Sequence, residues 1–586
     1  MRVLLLDPRD SADSGVWAAQ RWDRILDLGL GGANTYTRWT DRFRCSITPL
    51  RELRRGFEDF RRVRGLVGAG CGRVIDEHGL DWWEIMSILL NEHVDTLILM
   101  ERFAATLAAN DEVFISRSGP VASLLQCLLG SRVTVFHSRR VWGEHVLGHY
   151  MRVFNKLSIS QMADIFFDKY DSGYHLRGRV ARKPRPSSFP VVLVPTAYVN
   201  VSRTGTAYAN TFPDENFLLV ATRRSGWIKD LPRNMTSAWL SSYAGGLKRN
   251  REHAQLTKRW RSLVDELASR DEFDILHRLG HLDDLLHRFL HALNVRDAWQ
   301  NVLDAEPVQA VLCSDDSNPY TRIPLLLAQG RGLPNIACHH GALDGRYVFK
   351  REYGEVIWVK GVMEQDYLVR KCEVPRKRTE VAAPALPTHS SVSGKSRPQQ
   401  PRPHILFFSE AYEVLGGRPE EFYRDILPPL ADLAISTGRK LIVKSHPAES
   451  KRERVNALNR ILSDKQQAVT QLVTGPLTEE LLSGAWFGIT ILSTVVVECA
   501  IRGIPCFLCK WLEFWPYGYV EQFMRYGVGI GIDNPSEIHK IPQYIEQHSD
   551  GANQEEVLRN CWQPAVAGRL REFMTSSLKP VATVAS

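Results

Sequence analysis

Residues 488–508 read GITILSTVVVECAIRGIPCFL. An apolar run ends at Leu492, and Ser493-Thr494 supplies hydroxyls of the kind that cap exposed backbone N–H groups and open a helix. Gly503-Ile504-Pro505 then turns the chain into another apolar run. Strand, helix and strand in such short order make a βαβ unit, and βαβ units build parallel sheets with helices on both faces. The helix end that binds hydroxyls also attracts anions. Glu498 falls about one turn into the helix, where a carboxylate can accept hydrogen bonds from ribose hydroxyls.

Working outward, residues 441–449 read LIVKSHPAE. A β-branched strand stops at a Lys-Ser-His-Pro loop, and open α/β sheets bind ligands beyond the carboxyl ends of their strands. Pro447 stiffens the loop. Lys444 and His446 are thereby candidates to face a phosphate, with His446 giving a proton or a hydrogen bond to a leaving group. The same alternation runs through the last third of the chain. Strands are expected at 404–408, 440–443, 469–473, 487–491 and 505–508, and helices at 420–435, 451–462, 478–485, 494–502 and 555–574. After the first of these strands, Gly416-Gly417-Arg418 places glycines that admit a phosphate and an arginine that can pair with it.

The chain has 586 residues, or two to four domains at roughly 150 residues each. It is 44% hydrophobic and 24% charged, with a net charge of +8. That composition excludes a disordered protein or a fibre and favours anionic partners. Ten dispersed cysteines include one CxxC, Cys506 and Cys509, in an apolar run. It reads as a buried strand end rather than a zinc site, in a reducing cytoplasm. Residues 1–8 are too short on apolar residues for a secretory leader, and no run has the length of a membrane span.

In the N-terminal half, strands are expected at 2–6, 112–115, 133–136, 191–194, 217–221, 310–313, 335–338 and 355–359. Helices are expected at 82–107, 121–129 and 274–293. Residues 373–403, rich in Pro, Ser, Lys and Arg, read as a linker or mobile loop. The division is therefore 1–372, with a helical insertion at about 140–300, and 404–586, with a closing helix. The fold class is α/β: two Rossmann-like domains with parallel sheets facing across a cleft.

Lys-x-His-Pro after one strand and Ser-Thr…Glu…Gly-Ile-Pro after a later one resemble the donor half of GT-B glycosyltransferases. They are most similar to bacterial sialyltransferases, capsule Kdo transferases and CDP-glycerol glycerophosphotransferases, which use CMP- or CDP-activated donors. The resemblance covers about 170 residues from His404 onward. It implies that His446 contacts the donor phosphate and that Ser493 and Thr494 bind it as well. In the other half, VLCSDD at 311–316 is a strand ending in carboxylates. The segment 333–341, LPNIACHHG, looks like the Gly-Ile-Pro…Gln-His-Gly turn of surface-polysaccharide transferases, with His339 in place of the glutamine. His340, Asp316 and Asp344 are the candidate bases for an acceptor hydroxyl. The rival reading has Asp315 and Asp316 capping the next helix and His340 bonded inside its turn.

Other signals are blander. Residues 25–39 hold Gly29, Gly31 and Gly32 but not a dinucleotide fingerprint, with no clear strand before them. They and Trp82-Trp83-Glu84 faintly resemble surface-carbohydrate biosynthesis proteins. His277, His281 and Asp284 share a helix face that reads as solvated. The basic run at 178–186 and the basic-aromatic stretch at 227–260 suit a solvated surface or contact with an anionic membrane, and not nucleic acid.

The expected activity is glycosyl transfer from a nucleotide-activated sugar to a glycan or lipid-linked glycan of the cell surface. It would occur in the cytoplasm or at the inner membrane's periphery. No cofactor is expected. No paired metal-binding carboxylates occur in the donor half, so transfer is expected to need no metal. Alternatives are a nucleotide-sugar epimerase of the same architecture and a non-catalytic subunit of a polysaccharide assembly complex.

Overall fold

The computed structural model describes residues 1–136, 186–244, 251–386, 402–410, 412, 416–446, 449–513, 516–549 and 554–577. Among these residues every named strand belongs to one of three parallel sheets. The first has β1 (Arg2–Leu6), β2 (Arg24–Asp27), β3 (Ser46–Pro49), β4 (Glu112–Ile115) and β5 (Val133–Val135), in the order β3-β2-β1-β4-β5. The second has β6 (Val191–Thr196), β7 (Phe217–Ala221), β8 (Met235–Trp239), β9 (Val308–Cys313), β10 (Asn335–Cys338), β11 (Val356–Val359) and β12 (Thr379–Val381), in the order β12-β11-β10-β9-β6-β7-β8. The third has β13 (His404–Phe408), β14 (Lys440–Lys444), β15 (Thr470–Val473), β16 (Ala485–Thr490), β17 (Cys506–Cys509) and β18 (Ile530–Ile532), in the order β15-β14-β13-β16-β17-β18.

All three repeat one topology. The first strand of each sheet pairs with its second on one side and its fourth on the other, so the winding reverses between them. This is the doubly wound order, and the reversal opens a crevice at the carboxyl ends of those strands. The α/β class with parallel Rossmann-like sheets is thus as expected. The central strands are almost wholly buried because helices cover both faces. Cys506 and Cys509 lie buried in β17, as expected of strand-end cysteines.

The chain forms two compact units that do not follow chain order. The first comprises Met1–Phe57, Ile98–Val141 and Leu386–Trp562 and holds the five- and six-stranded sheets. The second comprises Glu58–Leu97, Trp142–Ala385 and Gln563–Ser586 and holds the seven-stranded sheet. The stretch expected to be one domain, 1–372, therefore carries two sheets that fall in different units.

Three expected boundaries are corrected. Residues 373–386 are not linker: β12 pairs in parallel with β11, while 387–401 lie outside the described residues. The closing helix is two helices, Gln554–Cys561 and Arg569–Ser577. The second packs Leu570, Phe573 and Met574 into the core of the seven-stranded sheet beside Trp358. The helical insertion expected at about 140–300 is interrupted, because β6, β7 and β8 lie between 191 and 239 and join the seven-stranded sheet.

The helix expected at 274–293 is also two, Asp271–Arg278 and His281–Ala305, broken where Gly280 takes φ +78°. His277 and His281 consequently sit on different helices, and the His281 ring stacks on His93 at 3.8 Å. In the basic-aromatic stretch, Trp260 is buried against Phe289 (4.5 Å) and Trp227 stacks on Trp239 (4.5 Å), so its aromatics pack inward. Residues 178–185 and 245–250 lie outside the described residues. Among the described residues, no helix is long and apolar enough to cross a membrane.

Candidate functional site

In the six-stranded sheet, β14 and β16 flank β13. At the usual strand spacing their carboxyl ends lie about 10 Å apart. Lys444 ends β14 and His446 lies in the loop after it, and the loop after β16 carries Ser493 and Thr494, so all four residues share one edge of the sheet.

Two carboxylates that sequence reading did not single out hold these loops. The Glu449 side chain is fully buried. It accepts from Ser445 Oγ (3.2 Å), the His446 backbone N–H (2.8 Å) and Ser409 Oγ (2.8 Å), and pairs with Arg454 Nε (2.8 Å). Since Ser409 follows β13, this fastens the β13 and β14 loops together. Glu410, also after β13, accepts from Thr490 Oγ1 (3.1 Å) and the Leu492 N–H (3.0 Å), which fastens the β16 loop. Burial pushes the Glu410 carboxyl up to about 7, against the pull of those bonds.

Lys444 is buried, and its ammonium spends one donor on the Ser445 carbonyl (2.8 Å). Burial lowers its pKa, while nearby Glu449 opposes the shift. His446 is exposed at the loop tip. Local desolvation lowers its pKa, Glu449 opposing and Lys444 assisting, so its ring is neutral at pH 7. Pro447 lies outside the described residues.

The hydroxyls after β16 do not act as expected. Thr494 occupies the position before the helix Val495–Ile501 in a helical conformation (φ −61°, ψ −10°) and makes no capping bond. Ser493 Oγ reaches the Val495 N–H at only 3.5 Å. Capping residues usually have extended backbone, which aims the oxygen back at the helix. Glu498 is on that helix but is bonded to Arg502 (2.8 Å), which also holds Glu479 (3.0 Å).

Gly417 and Arg418 close the loop after β13 but turn toward the five-stranded sheet. Arg418 is buried, with both guanidinium nitrogens on Asp27 (2.7 and 2.6 Å) and further bonds to the carbonyls of Asp10 (2.8 Å) and Asp7 (3.1 Å). It fills the carboxyl ends of β1 and β2, and four of its five donors are spent there. Gly417 bridges to Leu30 and lies flat against Phe422, where a Cβ would come within 2.7 Å of the ring. The glycines at 29–32 have the same cause. A Cβ on Gly32 would meet Asp425 at 2.5 Å, and Asp425 accepts from the Ala33 N–H (2.6 Å) and Asn34 Nδ2 (2.9 Å). A strand, β2, does precede them.

In the seven-stranded sheet the reversal lies between β6 and β9. Tyr198 follows β6, Asp315 and Asp316 follow β9, and His339, His340 and Asp344 follow β10. Asp316 is buried between Lys350 Nζ (2.6 Å) and Arg322 Nη1 (3.5 Å). Arg322 in turn bonds Glu84 (2.9 Å). Asp344 is buried on Arg346 Nε (3.0 Å) and Ser317 Oγ (2.8 Å). Despite its burial, the cations of Arg346 and Lys350 hold the Asp344 carboxyl well below its usual range. Asp316 and Asp344 are thus both engaged in buried ion pairs. The next helix is capped by Asn318, not by either aspartate.

His340 differs from both: it is half-buried, with Nδ1 at 3.3 Å from the Tyr198 hydroxyl, which lies 2.5 Å from Asp315 Oδ2. Burial pushes the imidazole down to about 4, the charge of Asp315 opposing. Sequence reading missed Tyr198, whose partner is 117 positions away. Elsewhere in this unit, Glu77, His78 and Glu252 bring ligand-type atoms within 4.8 Å of one another. Glu252 is already held by Arg296 at 2.7 and 2.8 Å.

No protein-family model matches the chain, and no curated protein matches it. Among solved structures, it is similar to a glycosyltransferase from Rickettsia africae (TM-score 0.39, 10% identity, covering 67% of this chain and 100% of the other). It is also similar to MurG from Acinetobacter baumannii (0.38, 12%, 66% and 99%). A third is the UDP-GlcNAc 2-epimerase of Methanocaldococcus jannaschii in complex with UDP-GlcNAc and UDP (0.38, 12%, 66% and 99%).

Proposed function

We propose that the chain is a GT-B-type glycosyltransferase that moves a sugar from a CMP- or CDP-activated donor to a growing cell-surface glycan. The observation that carries this reading is the pairing of two loops at the reversal point of the six-stranded sheet, both fastened through Ser409 and Glu410. In this reading the Lys444 ammonium and the neutral His446 ring oppose the charge that grows on the departing phosphate. The Ser493 and Thr494 hydroxyls, little used in capping, donate to its oxygens. Glu498 serves the ribose only by exchanging its Arg502 partner. His340 takes the acceptor proton. Transfer proceeds without a metal or cofactor, in the cytoplasm or at the membrane's inner surface, on a glycan or lipid-linked glycan.

A thermal-shift screen with CMP, CDP, UDP and GDP tests the donor site. A ligand that binds only the folded chain at 100 times its Kd adds about 2.7 kcal/mol of stability. A cytidine nucleotide is expected to raise Tm in wild type and not in His446→Ala, with no change on adding chelator. No shift with any of the four would leave a non-catalytic role. Conversion of the free nucleotide sugar without an acceptor would mark an epimerase.

A further inference from the structure

The half-buried His340 is the one acceptor-side candidate not locked in an ion pair, and two side chains the function has not used stand behind it. Asp315 is buried and fixed at both oxygens: Oδ1 accepts from the Ser317 N–H (3.0 Å) and lies 3.9 Å from Arg346 Nη2, and Oδ2 lies 2.5 Å from the Tyr198 hydroxyl. Burial and the Asp315 charge raise the Tyr198 phenol far above its ordinary value, so it keeps its proton. A carboxylate only accepts. The phenolic hydrogen therefore points to Asp315, and the Tyr198 oxygen has only lone pairs left for His340 Nδ1, 3.3 Å away. Nδ1 must then carry the ring's hydrogen. The edge-on Tyr198–His340 packing (5.3 Å, 90°) also restricts ring rotation.

We propose that Tyr198 and Asp315 are positioning residues that fix His340 as its Nδ1–H tautomer, with the Nε2 lone pair presented to the acceptor hydroxyl. This rests on the transferase reading for its chemistry but not for its geometry. In this role Nε2 takes the proton of an acceptor hydroxyl, and the electron pair of the broken O–H bond stays on the acceptor oxygen. The imidazolium so formed is bonded through Tyr198 to the Asp315 carboxylate, which offsets its charge. The other charged groups acting on the ring are Asp344, which favours that charge, and Arg346 and Lys360, which oppose it.

The test is ring-nitrogen NMR on the full chain with labelled histidine, the His340 signals being assigned by their loss in His340→Gln. At pH 7 the wild type is expected to show a protonated Nδ1 and an unprotonated Nε2. Tyr198→Phe should lose that form in favour of Nε2–H, the tautomer that free histidine prefers, and Asp315→Asn should weaken it. A proton on Nε2 in wild type, or no change in a folded Tyr198→Phe, would overturn the assignment. The wild-type spectrum decides even where a variant fails to fold. Nucleotide-induced Tm shifts on the same samples report separately on the donor site. A correct tautomer without any shift retires the transferase reading alone, and a shift with the wrong tautomer retires the relay alone.

Discussion

The five- and six-stranded sheets share a strand order and a compact unit, yet their carboxyl ends have opposite fates. In the first, the crevice beside β1 and β2 is filled by the Arg418 guanidinium, spent on Asp27 and two carbonyls, while Arg117 closes on Asp10 at 2.7 Å. In the second, the buried carboxyls of Glu410 and Glu449 lie behind the loops and bond their backbone and hydroxyls, leaving His446 and Thr494 at the surface. Topology places a crevice at both ends, and the side chains decide whether it is plugged or presented.

That contrast breaks first at Arg418. Arg418→Ala strands Asp27 as a buried, unpaired carboxylate, so chemical denaturation should show a loss of about 3–5 kcal/mol. A loss under 1 kcal/mol would mean that the guanidinium is not the plug. Glu410 comes next. Its folded carboxyl is raised to about 7 from an ordinary 4.5, so the folded chain holds a proton that the unfolded chain releases. Stability should therefore fall as pH rises from about 4.5 to 7 and level off above that. Glu364 and Glu421 are raised to about 7 as well and add to the same slope. The difference between wild type and Glu410→Gln isolates one carboxyl, and the variant should be flatter across that window by about 1–3 kcal/mol. Identical pH profiles would remove Glu410 as the buried fastener. The smallest effect belongs to Glu498→Gln, an exposed i,i+4 pair with Arg502. About 0.3–0.5 kcal/mol of stability is expected to go, and an unaltered nucleotide Kd would exclude Glu498 from the ribose.

Much of this architecture was legible because buried parallel strands are short continuous apolar runs: β1, β4, β7, β10 and β13 fall where the sequence puts them. The unread strands lacked that signal. β3, β8, β12 and β18 are edge strands, apolar on one face at most, and β2 is four residues ending in Asp27 beside a glycine cluster. At the candidate site, Lys444, His446 and Ser493 were readable because each ends or closely follows a strand. Arg418 was misread because Gly-Gly-Arg after a strand suits a phosphate, and its real partner, Asp27, lies 391 positions away. Glu410, Glu449 and Tyr198 act through partners that only the fold brings near. Thr494 shows a local limit too, since residue type suggests a cap but backbone conformation decides it.

The donor edge is tested most directly by calorimetric titration of CDP into wild type, His446→Ala and Arg418→Lys. Saturable binding is expected in wild type, a loss of at least tenfold in affinity in His446→Ala, and wild-type affinity in whatever fraction of Arg418→Lys folds. Equal affinity in wild type and His446→Ala, or weaker binding only in Arg418→Lys, would contradict the assignment of the six-stranded edge as the nucleotide site.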